Sequence, residues 1–393
     1  MMNRTDRKPR LKVLCVTPVG PEGMGGVDRL YYYMRQHRAA GAGNDDIDIR
    51  FFASRGPVSG FRSLFAFPMR FVAFFWLMLT QRFDVVHINH STGGSALRKW
   101  ALVCIAKLFR NRVSTHFHGM VEDAAYRDRP LWLTALRALL RKSDKVVILG
   151  EYFSADFQSR LGIPAEKLTI IHNGIPDFAP DLALPKPVVD QRLILFAGEV
   201  GPRKGAGLLL EALAMLRQRA PGWHCVMAGN GDIHEYKAMA GMLGLKDLVR
   251  FTGWVDADAV HDLMRKADIV VLPSRIEALP LSLIEGTCAG AALVSSTAGA
   301  SAEVTVHGRN GLIAPLESEA IATALADLVT HPARLAAMQV ESRKLFVERF
   351  GIARFEKELC QMFRALAGRA AGSAEPVAAG NLSGRQAGFS PGS

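Results

Sequence analysis

Two glutamates, Glu277 and Glu285, flank a turn that leads from a buried strand into a helix within the segment from Asp268 to Gly290. If the helix begins near Pro280, its free backbone N–H groups face the end of the strand and can hold phosphate or sugar oxygens. Glu277 then lies in the loop and Glu285 on the second helical turn. Both carboxylates can reach one elongated ligand, and the pattern predicts recognition of a diol.

A basic turn precedes this segment in the sequence AGEVGPRKG, from Ala197 to Gly205. Arg203 and Lys204 follow a predicted strand and stand just before a predicted helix. Lysine offers a point charge and arginine a fork of donors, and both suit phosphate oxygens. The turn therefore predicts a clamp for a diphosphate.

Four histidines follow strand-like segments in the first half of the chain, namely His87, His90, His116 and His118. The two pairs are at least 26 residues apart and lack the compact spacing of a metal motif. Asp46 and Asp48 form an Asp-x-Asp pattern, which alternation of polar residues along a strand explains. The sequence predicts no metal site.

The net charge of +11 is concentrated in the first half of the chain. Residues 1–185 hold 26 Lys and Arg against 16 Asp and Glu, whereas residues 186–393 hold 22 against 21. A basic half favours an anionic partner such as a phospholipid surface, a phosphorylated substrate or nucleic acid. Charge alone does not choose among them, and a plain solvated basic surface is the alternative.

Three features predict a cytoplasmic protein that does not cross a membrane. The five cysteines show no paired spacing, and the basic N-terminus leads into a strand and not into a signal peptide. The longest apolar run, Phe71 to Leu79, is far shorter than the roughly 20 residues of a spanning helix. The surrounding segment, Phe61 to Phe83, predicts a helix that either packs on the first sheet or docks on a bilayer.

Short β-branched runs alternate with helix-length segments throughout, which predicts two doubly wound α/β sheets. We expect a first Rossmann-like domain over residues 1–180, a proline-rich linker over 181–190 and a second Rossmann-like domain over 191–350. A C-terminal helix over 351–368 is expected to pack back on the first domain, and 369–393 to form a disordered tail. The crevice between the domains is the expected active site.

The segment LPS, Glu277, seven residues and Glu285 resembles the signature of the family 4 glycosyltransferases, which have the GT-B fold of two Rossmann-like domains facing each other across a cleft. The resemblance runs with gaps from about Lys12 to Phe363. It implies that Glu277 contacts the hydroxyls of the donor sugar near the reacting carbon. It also implies that Glu285 binds the ribose of the donor.

Other segments extend the resemblance and imply further roles. STHFHG matches an acceptor-domain strand and makes His118 the active-site histidine, beside Glu277 as the second predicted catalytic residue. The predicted donor-binding residues are Gly25, Gly26, Arg203, Lys204, Asn230, Leu281 and Glu285. The family often has Gly-Arg where this chain has Gly198 and Glu199, so Arg203 is expected to replace that arginine.

The resemblance predicts a retaining glycosyltransferase of polysaccharide biosynthesis. Its expected partners are a nucleoside diphosphate sugar donor, a glycan or lipid-linked glycan acceptor and, peripherally, the membrane, with no nucleic acid. No metal or other cofactor is expected. The alternatives are an epimerase or phosphorylase on the same fold, since fold does not determine chemistry, and an inactive membrane-docked scaffold.

Overall fold

The computed structural model describes residues 10–20, 26–43, 46–55, 62–91, 95–121, 126, 128–187 and 189–369. Gly25 and residues 370–393 of the predicted tail lie outside the described residues.

The first sheet has six parallel strands in the order β2-β1-β3-β4-β5-β6. Their bounds are β1 Leu11–Thr17, β2 Ile47–Ala53, β3 Val85–His90, β4 Arg112–Phe117, β5 Lys145–Ile148 and β6 Leu168–Ile170. Because all strands run parallel, their carboxyl ends meet at one edge of the sheet.

Helices connect these strands: α1 Gly26–His37, extended by a π-helical turn at Arg38–Ala42, α2 Arg62–Thr80, α3 Ser95–Leu108, α4 Pro130–Lys142 and α5 Ser154–Ser159. Alternate residues of β1 point to opposite faces of the sheet. Leu14 and Val16 join the core that contains Phe74 of α2, whereas Val13 packs with the residues of α1. Both faces are therefore covered, as a parallel sheet requires.

The second sheet is also fully parallel, in the order β12-β11-β10-β7-β8-β9. Its strands are β7 Arg192–Ala197, β8 Trp223–Ala228, β9 Val249–Gly253, β10 Ile269–Leu272, β11 Ala292–Ser295 and β12 Gly311–Ile313. Its helices are α6 Ala206–Arg219, α7 Ile233–Met242, α8 Ala257–Lys266, α9 Leu281–Cys288, α10 Ser301–Val304, α11 Ser318–Thr330 and α12 Pro332–Arg349.

A last helix, α13 Ile352–Leu366, returns to the first sheet. Phe355, Leu359 and Phe363 are fully buried in the same core as Leu30 of α1 and Val13 of β1. Helix α13 thus completes the covering of the first sheet.

The fold predicted from the sequence is confirmed: the chain forms two doubly wound α/β sheets. The edge strand β12 has only three residues. Within the described residues no helix is both long enough and apolar enough to span a membrane.

Candidate active site

Lys204 and Glu277 form an ion pair at the carboxyl edge of the second sheet. Ser274 Oγ donates a hydrogen bond of 2.7 Å to Glu277 Oε1, the oxygen that also accepts from Lys204. Ser274 and Glu277 are buried. A buried carboxylate requires such partners, because an unpaired charge away from water is strongly unfavourable. The site thus holds a cation, Lys204, beside the Glu277 carboxylate, which can accept hydrogen bonds from hydroxyl groups.

Two loops bring this pair together. The backbone N–H of Arg275 donates to the carbonyl oxygen of Arg203 at 2.9 Å and joins the loop after β10 to the loop after β7. Gly205 has φ +74°, and a Cβ there would lie 2.0 Å from the carbonyl oxygen of Pro273. Only glycine fits that position, so the glycine after Lys204 allows the close approach of the loops.

Helix α9 begins as the sequence predicts, with Pro280 extended before it and Leu281 as its first residue. Glu285 lies on the second turn and is only 6% exposed. Burial raises the pKa of the Glu285 carboxyl to about 7, and the positive charge of Arg29 opposes that rise. Glu285 is therefore a carboxylate whose ionisation the fold disfavours.

Arg203 and Glu199 form an exposed ion pair, with 3.0 Å between Nη2 and Oε2. Arg203 therefore supplies a positive charge beside the Glu199 carboxylate. Exposed pairs of this kind contribute only about 0–1 kcal/mol, so Arg203 can exchange Glu199 for a phosphate at little cost. Asn230 is exposed in the loop after β8, and its backbone oxygen accepts a hydrogen bond of 2.7 Å from Val200.

His118 directly follows β4 at the carboxyl edge of the first sheet. The amide nitrogen of Asn89 donates to the carbonyl oxygen of Val16 at 3.2 Å, so Asn89 Oδ1 faces His118 and accepts from its Nε2 at 2.8 Å. The lone pair then resides on Nδ1. Burial lowers the pKa of His118 to about 3. The ring is a neutral hydrogen-bond acceptor near neutral pH.

Other histidines of this edge are held by hydroxyl groups. His87 lies between the hydroxyls of Tyr31, at 2.7 Å, and Ser114, at 2.8 Å, and His90 contacts the hydroxyl of Tyr126 at 2.7 Å. No group of three or more His, Cys, Asp or Glu side chains in the described ranges is arranged to hold a metal ion.

Helices α1 and α9 face each other across the crevice between the sheets. Gly26 is the first residue of α1, and a Cβ there would lie 3.8 Å from Leu281 Cδ1. Arg29, one turn further, is close enough to Glu285 to act on its pKa. The predicted residues Gly26, Leu281 and Glu285 are thus brought together.

Sequence reasoning missed residues that orient the site. Ser274 lies in the LPS segment and Asn89 in β3, but their hydrogen bonds to Glu277 and His118 depend on how the loops and strands pack. Gly299 packs so closely that a Cβ would lie 1.7 Å from the carbonyl oxygen of Glu277. The sequence signal for this close packing is the run of small residues around Gly299, from Ala298 to Ser301.

Two family models match the chain. The model described as "Glycosyltransferase Family 4" matches residues 30–177, and the model described as "Glycosyl transferases group 1" matches residues 184–345. The first match covers strands β2 to β6 of the first sheet, and the second covers all six strands of the second sheet.

Among curated proteins, the chain is 29% identical over 247 residues to the GDP-mannose-dependent alpha-(1-6)-phosphatidylinositol monomannoside mannosyltransferase of Mycolicibacterium smegmatis. This match covers 58% of the chain and 63% of the relative. A glycogen synthase of Mycobacterium tuberculosis is 28% identical over 197 residues, 50% of the chain and 48% of that protein. The chain thus matches about half to two thirds of the length of these relatives.

Solved structures share the architecture. HepE of Anabaena in complex with UDP and glucose has a TM-score of 0.70 at 17% identity, covering 91% of the chain and all of HepE. The sucrose-phosphate synthase of Thermosynechococcus elongatus has a TM-score of 0.70 at 19% identity, with 91% of the chain and all of that protein covered. At these identities the likeness is one of fold.

Proposed function

The chain belongs to family 4 of the glycosyltransferases and has the GT-B fold, and we propose that it is a retaining, nucleotide-sugar-dependent enzyme of polysaccharide assembly. The donor is a nucleoside diphosphate sugar, and the acceptor is a glycan or a lipid-linked glycan. The observation that carries the proposal is the Lys204–Glu277–Ser274 unit beside the first turn of α9.

The donor lies along the carboxyl edge of the second sheet in this proposal. Lys204, Arg203 and the N–H groups at the start of α9 hold the diphosphate. Glu277 accepts hydrogen bonds from the donor sugar, and Glu285 accepts from the ribose. Gly26 lets the backbone approach the phosphates from the first sheet.

During transfer, the bond between the anomeric carbon and the diphosphate oxygen breaks, and the diphosphate leaves with the electron pair. The acceptor oxygen bonds to the same face of that carbon and gives its proton to the departing diphosphate oxygen, so the configuration is retained. The cations offset the charge that grows on the diphosphate, a role that needs no metal ion. His118 is neutral, so it accepts a hydrogen bond from the donor sugar and supplies no positive charge.

Peripheral membrane contact is the second part of the proposal, and helix α2 supports it. Phe74 and Met78 are buried against the sheet, whereas Met69, Val72 and Trp76 are 74%, 66% and 63% exposed on the outer side. These exposed residues lie at helical spacing and form one apolar stripe. The helix therefore packs on the sheet and also offers an apolar face.

Helices α3 and α4 extend this face. Helix α3 packs beside α2, and α4 packs beside α3. They carry the exposed side chains of Leu97, Trp100 and Leu108 on α3 and Leu131 on α4. The sequences of α2, α3 and α4 contain eight Lys and Arg and no Asp or Glu. An apolar face with only positive charges fits the surface of an anionic bilayer. The five cysteines are free, which fits the cytoplasmic side.

A donor panel tests the proposed activity. The purified protein is incubated with UDP-, GDP- and ADP-sugars, with and without added glycan acceptors, and release of the nucleoside diphosphate is measured. Release that depends on an acceptor supports transfer. Conversion of the donor sugar without an acceptor would indicate an epimerase. Nucleotide release that requires phosphate would indicate a phosphorylase. Failure to bind any nucleoside diphosphate in calorimetry would indicate a scaffold.

A further inference from the structure

Three cations gather at the carboxyl edge of the first sheet, apart from the donor side. Arg55 follows β2, and Arg98 and Lys99 lie in the first turns of α3. Lys99 is 3% exposed, and its Nζ donates a hydrogen bond of 2.6 Å to Ser54 Oγ. Within the part of the chain that the structure describes, no carboxylate lies within 4.0 Å of any of the three. A buried ammonium with one neutral partner lacks its counter-charge.

Among the described residues, Asp28 is the acid that acts on Lys99, and it does not supply that charge. Asp28 Oδ1 accepts hydrogen bonds of 3.1 Å from each of the backbone N–H groups of Val19 and Gly20. Burial, followed by repulsion from Arg98, lowers the pKa of Lys99 to about 7, and Asp28 only partly opposes this. The cluster is therefore short of negative charge.

Repulsion between the cations also indicates that the cluster lacks negative charge. Burial lowers the pKa of Arg98, and the positive charge of Arg55 lowers it further. Like charges held together in a fold destabilise it unless an anion binds between them. Arginine forks and a lysine suit the oxygens of a phosphate or diphosphate.

The surroundings indicate where such an anion comes from. On α3, Leu97 and Trp100 stand on either side of Arg98 and Lys99 in sequence, and both are exposed on the apolar face that α2, α3 and α4 form. Burial lowers the pKa of His90 to about 3, and the positive charges of Lys99 and Arg98 contribute to this, so these two cations lie near His90. A phosphate on a lipid would therefore meet the cations where its chain meets the apolar face.

We propose that Arg55, Arg98 and Lys99 bind the phosphate or diphosphate group of a lipid-linked acceptor. This inference rests on the proposed transferase function and names the acceptor class. The donor diphosphate is assigned to Lys204 and Arg203 on the other sheet, so the two anionic groups have separate cations.

Calorimetry on the full chain tests the proposal with the donor site filled. The protein is first saturated with UDP or GDP, whichever binds, and is then titrated with farnesyl diphosphate, with the neutral alcohol farnesol and with inorganic pyrophosphate. We expect farnesyl diphosphate to bind at least about tenfold more tightly than farnesol, because charge-assisted hydrogen bonds contribute this much. Pyrophosphate binding more weakly than farnesyl diphosphate identifies the lipid as the source.

Variants show which cations act. Lys99→Met keeps the apolar stem and should weaken farnesyl diphosphate binding at least about tenfold while nucleotide binding stays unchanged. The control is Lys237→Met, at an exposed lysine of helix α7, which should leave farnesyl diphosphate binding unchanged. Arg55→Ala, at an exposed residue, gives a second test that does not depend on core packing and should weaken binding about threefold or more.

Three outcomes would overturn the proposal: equal affinity for farnesyl diphosphate and farnesol, unchanged binding in both variants, or loss of farnesyl diphosphate binding once the nucleotide site is filled. Equal affinity for pyrophosphate and farnesyl diphosphate would assign the cations to a free phosphate and would contradict the lipid-linked acceptor. Failure of the initial nucleotide titration would instead contradict the proposed function itself.

Discussion

Replacing Glu285 by glutamine should stabilise the fold and weaken donor binding. The folded-state pKa of about 7 lies above the ordinary value of 4.5 because the carboxyl is buried. The folded protein therefore holds this proton more tightly than the unfolded chain, and stability is lost as the pH rises from about 4.5 to 7. At about 1.36 kcal/mol for each pKa unit, ionised Glu285 costs about 3 kcal/mol at pH 8 and below about 1 kcal/mol at pH 5.

Urea unfolding of wild type and Glu285→Gln at both pH values measures this difference. The variant should be more stable by about 3 kcal/mol at pH 8, with the gain falling below about 1 kcal/mol at pH 5. Exposed Glu235→Gln is the matched control and should show no pH-dependent gain. The same gain at both pH values would refute the argument from burial. Nucleoside diphosphate binding to Glu285→Gln should weaken by about 1–3 kcal/mol in calorimetry, since the amide keeps only one of the two oxygens that accept hydrogen bonds from the ribose and loses the negative charge.

Other predictions concern catalysis, donor binding, metals and membranes. Glu277→Gln should lower kcat about tenfold or more with folding intact; unchanged turnover would contradict its role. Arg203→Ala should weaken donor binding by about 1–3 kcal/mol in calorimetry with acceptor affinity unaltered, and an unaltered donor affinity would make Arg203 a surface charge. Activity should persist in excess chelator, whereas loss that Mg²⁺ or Mn²⁺ restores would contradict the metal-free mechanism. Binding to anionic liposomes should weaken with salt and with Trp76→Glu but not with Trp254→Glu, a similarly exposed tryptophan on the second sheet; sedimentation that is independent of anionic lipid would refute membrane docking.

Local patterns in the sequence were sufficient for much of the fold and part of the site. Strand runs and turns predicted both sheets, because each strand and its following helix are short-range features. Glu277 and Glu285 could be placed on a loop and a helix because only eight positions separate them and Pro280 precedes the helix. Helix α2 was the ambiguous element, since its sequence is apolar on both sides. The structure shows one side packed and the other exposed.

The electrostatics of the site were decided by tertiary structure alone. Arg29 and Glu285 are 256 positions apart in the chain, and they meet only because the two sheets face each other. Asn89 orients His118 because β3 pairs with β4, and the burial that keeps this histidine neutral comes from packing. Arg55 meets Arg98 for a related reason, since the order β2-β1-β3 brings the ends of distant strands to one edge. A sequence specifies which side chains carry charge, but burial and neighbours determine how that charge behaves.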